Sequence, residues 1–203
     1  MKINLLIIVL LSGCLLWAFD KKPAAAAVEQ SEKITEIVTV PTEGSVEFEA
    51  IGRPNMLVIK GLGEGVTSSI KINNSKLSGE INFKLESLKT GIDSRDQDMK
   101  EKYLQISQFP VAKIKFEEFQ MPAGWNIKNS KVVTSSFRGK LILHGIEKEI
   151  TGLYTIAPDF AKASAKFDVK LSDYKIMTPV YLGIKVADFV KVTVIINKVT
   201  IVK

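Results

Sequence analysis

One cysteine and one histidine in 203 residues remove several function classes at once. A disulfide framework and a CxxC redox pair each need two cysteines, and a structural zinc site needs four Cys and His ligands. No G-x-S-x-G elbow presents a nucleophilic serine, and no glycine-rich loop opens a helix to cradle phosphate. Arginine-rich blocks are missing too: 28 Lys+Arg face 22 Asp+Glu spread along the chain, for a net charge of +6. That balance describes a mildly basic soluble surface and argues against a nucleic-acid partner. The composition therefore nominates no metal site, no cofactor and no catalytic residue. Helical periodicity is as scarce as the chemistry, being confined to residues 90–110.

What the chain has in quantity is alternation with period two, the mark of a strand whose successive side chains point to opposite faces. Val46, Phe48 and Ala50 alternate with Glu47 and Glu49; Leu77, Gly79, Ile81, Phe83 and Leu85 form the cleanest run. Phe137, Gly139, Leu141 and Leu143 repeat the pattern, as do Ile150, Gly152, Tyr154 and Ile156. With the runs 57–60, 66–72, 113–119, 166–171 and 190–202, these give roughly eight to ten strands and one helical candidate. One apolar and one polar face per strand predict an all-β fold, an antiparallel barrel or sandwich. Gly79, Gly139 and Gly152 fall on the inward face. They either leave the interior partly hollow or let the strands bend at corners. Gly61-Leu62-Gly63-Glu64-Gly65 reads as a flexible turn between two strands.

The first twenty residues differ from the rest. After Lys2, positions 3–19 are apolar or small apart from Asn4 and Ser12, and Asp20 with "KKPAAAA" follows. This is the pattern of an export signal. Leu11-Ser12-Gly13-Cys14 resembles a bacterial lipobox, which makes Cys14 the candidate for lipidation and for membrane attachment. Cleavage near Ala24 to Ala27 and retention as an anchor are the alternatives. The expected organisation is a signal at 1–20, a tether at 21–41 and a barrel domain at 42–203, with 34–40 able to add an edge strand. The expected location is the periplasm or the envelope membrane.

Residues 90–110 crowd Asp93, Arg95, Asp96, Asp98 and Glu101 into nine positions. Ser94-Arg95-Asp96-Gln97 fits a capping box, with carboxylates in the first turn favouring the positive end of the helix dipole. Met99 and Tyr103 share a helical face, and Pro110 ends the helix. A calcium loop would need an oxygen ligand where Arg95 stands. His144, beside Gly145, has turn composition and no nucleophile or orienting acid nominated near it.

"SVEFEAIG" (45–52), "LSGEINFKLESLKTGIDSRDQDMKEKYLQISQFPVAKIKF" (77–116), "FRGKLILHGIEKEI" (137–150) and "FDVKLSDYKI" through "LGIKVADFVKVTVIIN" (167–197) resemble, in order and spacing, the YceI-like family of bacterial lipid-binding proteins. The most specific parts are Thr90-Gly91 to Arg95-Asp96, Phe109-Pro110 and Leu143-His144-Gly145. The resemblance implies a lipocalin-like antiparallel β-barrel with one short helix after an N-terminal signal segment, exported, holding a polyisoprenoid chain and without enzyme activity. The family commonly carries histidine where this chain has Asp98, so no role of that histidine transfers. On this reading the isoprenoid lipid is lined by the inward set Val46, Phe48, Ile70, Ile72, Ile81, Phe83, Leu85, Phe116, Leu141, Phe167, Val169 and Leu171. Arg95, Tyr103 and Tyr174 stand at the mouth. Two other readings compete: an envelope enzyme using the carboxylates near Arg95 on a lipid, and a solid barrel serving as an interaction module. Pairing of barrels into a homodimer is compatible with the sequence.

Overall fold

In the computed structural model, two compact units divide the chain, at 1–32 and 33–203, and all described residues lie in the second. These are residues 36–40, 44–53, 57–73, 75–123, 125 and 131–197; at 36–40, 72, 73, 119 and 159 the backbone alone is described. The signal, most of the tether and Cys14 therefore lie outside the described residues.

Eleven strands form one antiparallel sheet: β1 (Glu36–Val40), β2 (Gly44–Arg53), β3 (Leu57–Glu64), β4 (Thr67–Asn73), β5 (Lys76–Lys84), β6 (Val111–Gln120), β7 (Val133–Leu143), β8 (Ile146–Ile156), β9 (Lys162–Lys170), β10 (Val180–Tyr181) and β11 (Ile184–Asn197). Their order is β1-β4-β5-β6-β7-β8-β9-β11-β2-β3, with β10 on β11. The two ends of this order meet because β4 continues β3 after Gly65 and Val66. Leu62 and Lys89 exchange both backbone hydrogen bonds at 2.8 Å, which ties β3 to the chain just beyond β5. Leaving aside the edge strand β1 and the two-residue β10, and counting β3 and β4 as one bent strand, gives eight staves, near the size at which a barrel is either just filled or holds one small ligand. β1 lies within the stretch read as tether and pairs with β4 as an edge strand.

Alternation decides which way each residue points. Val46, Ala50, Phe83, Leu141, Ile150, Tyr154, Phe167 and Val169 are buried together in one apolar core. Outside, Lys113 meets Glu80 at 3.0 Å, and Lys115 and Lys140 reach Glu147 at 3.7 and 3.8 Å. The Lys113 hydrogen bond holds the Glu80 carboxyl below the usual range. Such exposed pairs contribute little to stability, and their main effect is to keep the wall soluble.

The inward glycines answer the question of bend or hollow. A Cβ on Gly79 would stand 2.1 Å from the Ser69 carbonyl oxygen, and one on Gly152 would stand 2.2 Å from that of Lys166. Neighbouring backbone fills their space, and the β5–β6 register shifts between Leu77 and Gly79. They mark corners. Gly61 and Gly63 correct the expectation of a flexible turn. Both lie in β3, where a Cβ would meet the rings of Phe48 at 2.1 Å and Phe83 at 2.5 Å. The missing side chains make room for two phenyl rings inside the barrel.

The capping box is a second correction. The helix α1 runs Asp93–Gln97 with Ile92 at its N-cap and no side-chain cap, and it passes into a π-helical turn over Asp98–Tyr103. Ser94 is already inside the helix and pairs with the Tyr181 hydroxyl at 3.0 Å.

The barrel is closed at one end. Met121, Trp125, Tyr154 and Phe160 are buried there; the Trp125 and Phe160 rings meet edge-on at 6.0 Å, and the Tyr154 hydroxyl donates to the Met121 sulfur at 3.5 Å. At the other end stand α1, the π turn and the β10–β11 hairpin.

Candidate functional site

Between the two ends lies an apolar cavity of about 200 Å³. It exceeds the ~150 Å³ engineered cavity that stays dry and binds benzene. Its walls come from almost every strand. Val46, Phe48, Ile81, Phe83, Leu141, Phe167 and Val169, expected from alternation, all line it, and so does Leu85 in the turn after β5. Leu171 lines it from the turn after β9. A second apolar space of about 70 Å³ lies toward the closed end, with Ile70 and Phe116 among its walls. Ile81, Ile114 and Val194 border both spaces and form a waist. The Phe137 and Phe167 rings meet edge-on at 6.2 Å beside it.

One expected residue does not join this lining, and the side chain of another lies outside what is described. Tyr174 is buried in the core and borders neither space. Burial, and then the adjacent Asp173 carboxylate, push its hydroxyl up to about 12, so it stays neutral. Ile72 pairs by its backbone with Leu77, and its side chain lies outside the described residues.

The polar part of the lining is confined to the open end, where Thr90, Arg95 and Asp98 stand. Arg95 donates from Nε to Thr90 Oγ1 at 2.8 Å and from a terminal nitrogen to the Thr90 carbonyl at 2.9 Å. Its guanidinium lies 5.9 Å from the Tyr181 ring centroid, a cation–π distance. Asp96 is buried and takes hydrogen bonds from the Thr90 backbone N–H, at 2.7 Å, and from the Thr90 hydroxyl. It folds the 90–96 loop and does not face the cavity. Asp93 and Glu101 are exposed on the helix. Among the described residues no group of three His, Cys, Asp or Glu side chains converges to hold a metal.

Tyr103 latches the open end. Its hydroxyl accepts from the Val180 N–H at 3.0 Å and donates to the Val180 carbonyl at 3.1 Å, joining the π turn to β10 across the cavity. His144 holds the loops behind. It sits with Gly145 at positive φ in the two-residue β7–β8 turn, a backbone form suited to tight hairpins. Its Nδ1 lies 3.0 Å from the Tyr174 carbonyl, which can only accept, so Nδ1 carries the proton. Nε2 meets the Gln105 carboxamide at 3.1 Å, and the ring packs on Phe109 at 4.5 Å. The histidine is a strut between three loops.

Alternation could not find Leu88, Met99, Leu104, Ile176, Pro179 or Val180, which line the open half of the cavity. They stand in turns, the π helix and a two-residue strand, where no period of two runs long enough to read. Met99 and Tyr103 were expected on one face of the helix, and both line the cavity.

Residues 37–197 match the YceI-like domain family. Comparison with the curated proteins finds no match. Among solved structures, a polyisoprenoid binding domain from Saccharophagus degradans, implicated in plant cell wall breakdown, is similar at 15% identity and a TM-score of 0.58; the match covers 79% of this chain and 95% of that one. Burkholderia cenocepacia BcnA is similar at 18% identity and a TM-score of 0.58, covering 76% and 96%. At such identities the likeness concerns the fold.

Proposed function

The chain belongs to the YceI-like domain family, and on that premise we propose that it is an exported binding protein carrying one long isoprenoid-type chain in its barrel. The observation that carries this reading is the cavity itself: an apolar interior with a single polar arc at one end. Such a site fits a molecule with a long hydrocarbon tail and a small polar head, quinone-like or polyprenyl. The Saccharophagus degradans domain, described as polyisoprenoid-binding, supports the ligand class.

The driving force is removal of hydrocarbon from water. Each buried CH₂ contributes about 0.8 kcal/mol, so a few isoprene units offset the ~4–15 kcal/mol lost on association. The head would meet Thr90, Arg95 and Asp98. Carriage and not catalysis is the reading favoured by the carboxylates: Asp96 is engaged by Thr90, which leaves Asp98 alone at the cavity. Export, with Cys14 lipidated, accords with the apolar first twenty residues. Residence in the periplasm or on an envelope membrane follows from it.

Organic extraction of the purified protein followed by mass spectrometry tests the reading. Near-stoichiometric isoprenoid lipid is the expected result, and a protein that neither yields such a lipid nor takes one up on incubation is the solid-barrel module instead. Turnover of a lipid that disappears in Asp98→Asn would make it an enzyme.

A further inference from the structure

Nine of the twelve exposed large apolar side chains among the described residues stand at the open end of the barrel. They are not scattered. Ile51 and Val58 are directly opposed across β2 and β3. Phe189, 60% exposed, stands next to the Val190–Ala50 pair on β11 and extends the same outward row. Beyond it the β10–β11 hairpin carries Leu182 at its tip, 83% exposed, with Val180 beside it; Met177, 62% exposed, precedes it in the chain. Single exposed apolar residues need no explanation, but a contiguous rim of them does.

Charge accompanies this rim. Lys185 is flanked in register by Val180 on one side and Arg53 on the other. Both cations are exposed, as is Lys175, and among the described residues none of the three forms an ion pair. The acids nearby are otherwise engaged: Asp173 lies 3.7 Å from Lys170, and Asp188 accepts from Ser172 at 2.6 and 2.8 Å. One row farther from the opening the outward residues become Lys191, Glu49 and Lys60, of mixed sign. On the helix side of the opening Asp93, Asp98 and Glu101 are offset by Arg95, Lys100 and Lys102, so that side has no comparable excess of cations.

We propose that the β10–β11–β2–β3 side of the open end is a docking surface for a bilayer containing anionic lipid. Apolar tips entering the headgroup layer with cations beside them is the arrangement of interfacial membrane binders. The hairpin that would enter also lines the cavity through Val180 and Tyr181. Seated this way, the cavity opens onto lipid. The surface's role in loading rests on the lipid-carrier reading, whereas its existence does not.

The test uses the full chain with Cys14→Ser, bearing an environment-sensitive fluorophore on Leu182→Cys or, as control, on Leu153→Cys, an exposed wall position on β8. Vesicles of phosphatidylcholine with phosphatidylglycerol and no isoprenoid keep docking separate from cargo binding. The Leu182 label should shift to the blue and be quenched by lipid-borne bromine, while the Leu153 label is unchanged. Arg53→Glu or Lys185→Glu should weaken the response by roughly fivefold or more per site. Equal response of both labels, or of neither, overturns the proposal. So does a Leu182 shift that appears without vesicles and grows with protein concentration, which marks a second copy as the occupant.

Discussion

Tyr174 illustrates how a residue expected in one role is used in another. It was expected at the mouth, yet the backbone turn after β9 directs it into the core. Because its folded pKa, about 12, lies above the ordinary value of 10.0, the folded state resists deprotonation. The stability it confers is complete below pH 10 and is lost as pH rises from about 10 toward 12. Two units correspond to a loss on the order of 2–3 kcal/mol. Tyr154, also raised by burial, adds to the same limb. Denaturant midpoints measured at pH 7 and pH 11 should therefore converge in Tyr174→Phe relative to the parent. A parent midpoint that does not fall more than that of the variant contradicts the assignment. His144 belongs to this scale as well. His144→Ala removes hydrogen bonds to two loops and should cost about 1–2 kcal/mol, seen as a lower melting temperature.

At the scale of elements, the wall of the barrel was written plainly in the sequence and its opening was not. Strands bury one face, so Val46, Phe83, Leu141, Phe167 and Val169 announce themselves by spacing. The opening is built from short irregular pieces whose residues are chosen by each other. Tyr103 is placed by Val180, Arg95 by Thr90 and Tyr181, and Asp96 by Thr90, all tertiary pairings without a local period. Gly61 and Gly63 misled for a related reason: glycine in a turn and glycine beneath a phenyl ring look alike in one dimension. The latch gives a prediction. Tyr103→Phe loses both hydrogen bonds to Val180, at about 1 kcal/mol or less because water can reach that strand. The Val180 amide should exchange its hydrogen faster, with little change at Ile114 in the core. Unchanged exchange at Val180 would mean that the hairpin is held by packing alone.

At the scale of the molecule, the barrel has a free space bordered by a waist and a smaller space below it. Filling the upper space should separate stability from binding. Ala112 lines it from β6, and Ala112→Trp puts a large ring where a ligand chain would lie. Recovered lipid should fall sharply, while stability changes by less than the ~1–3 kcal/mol typical of overpacking a filled core. A variant that is destabilised by that amount yet carries undiminished lipid would show that the chain lies elsewhere.

The stopper of Trp125, Phe160 and Met121 has a consequence for traffic. A tube with one door admits no through-passage: whatever enters head-last must back out along the same track. A newcomer cannot push the occupant from behind, so exchange becomes strictly sequential, departure before arrival. If the protein is the carrier proposed above, it would deliver only by turning round, presenting to its destination the same face with which it was loaded.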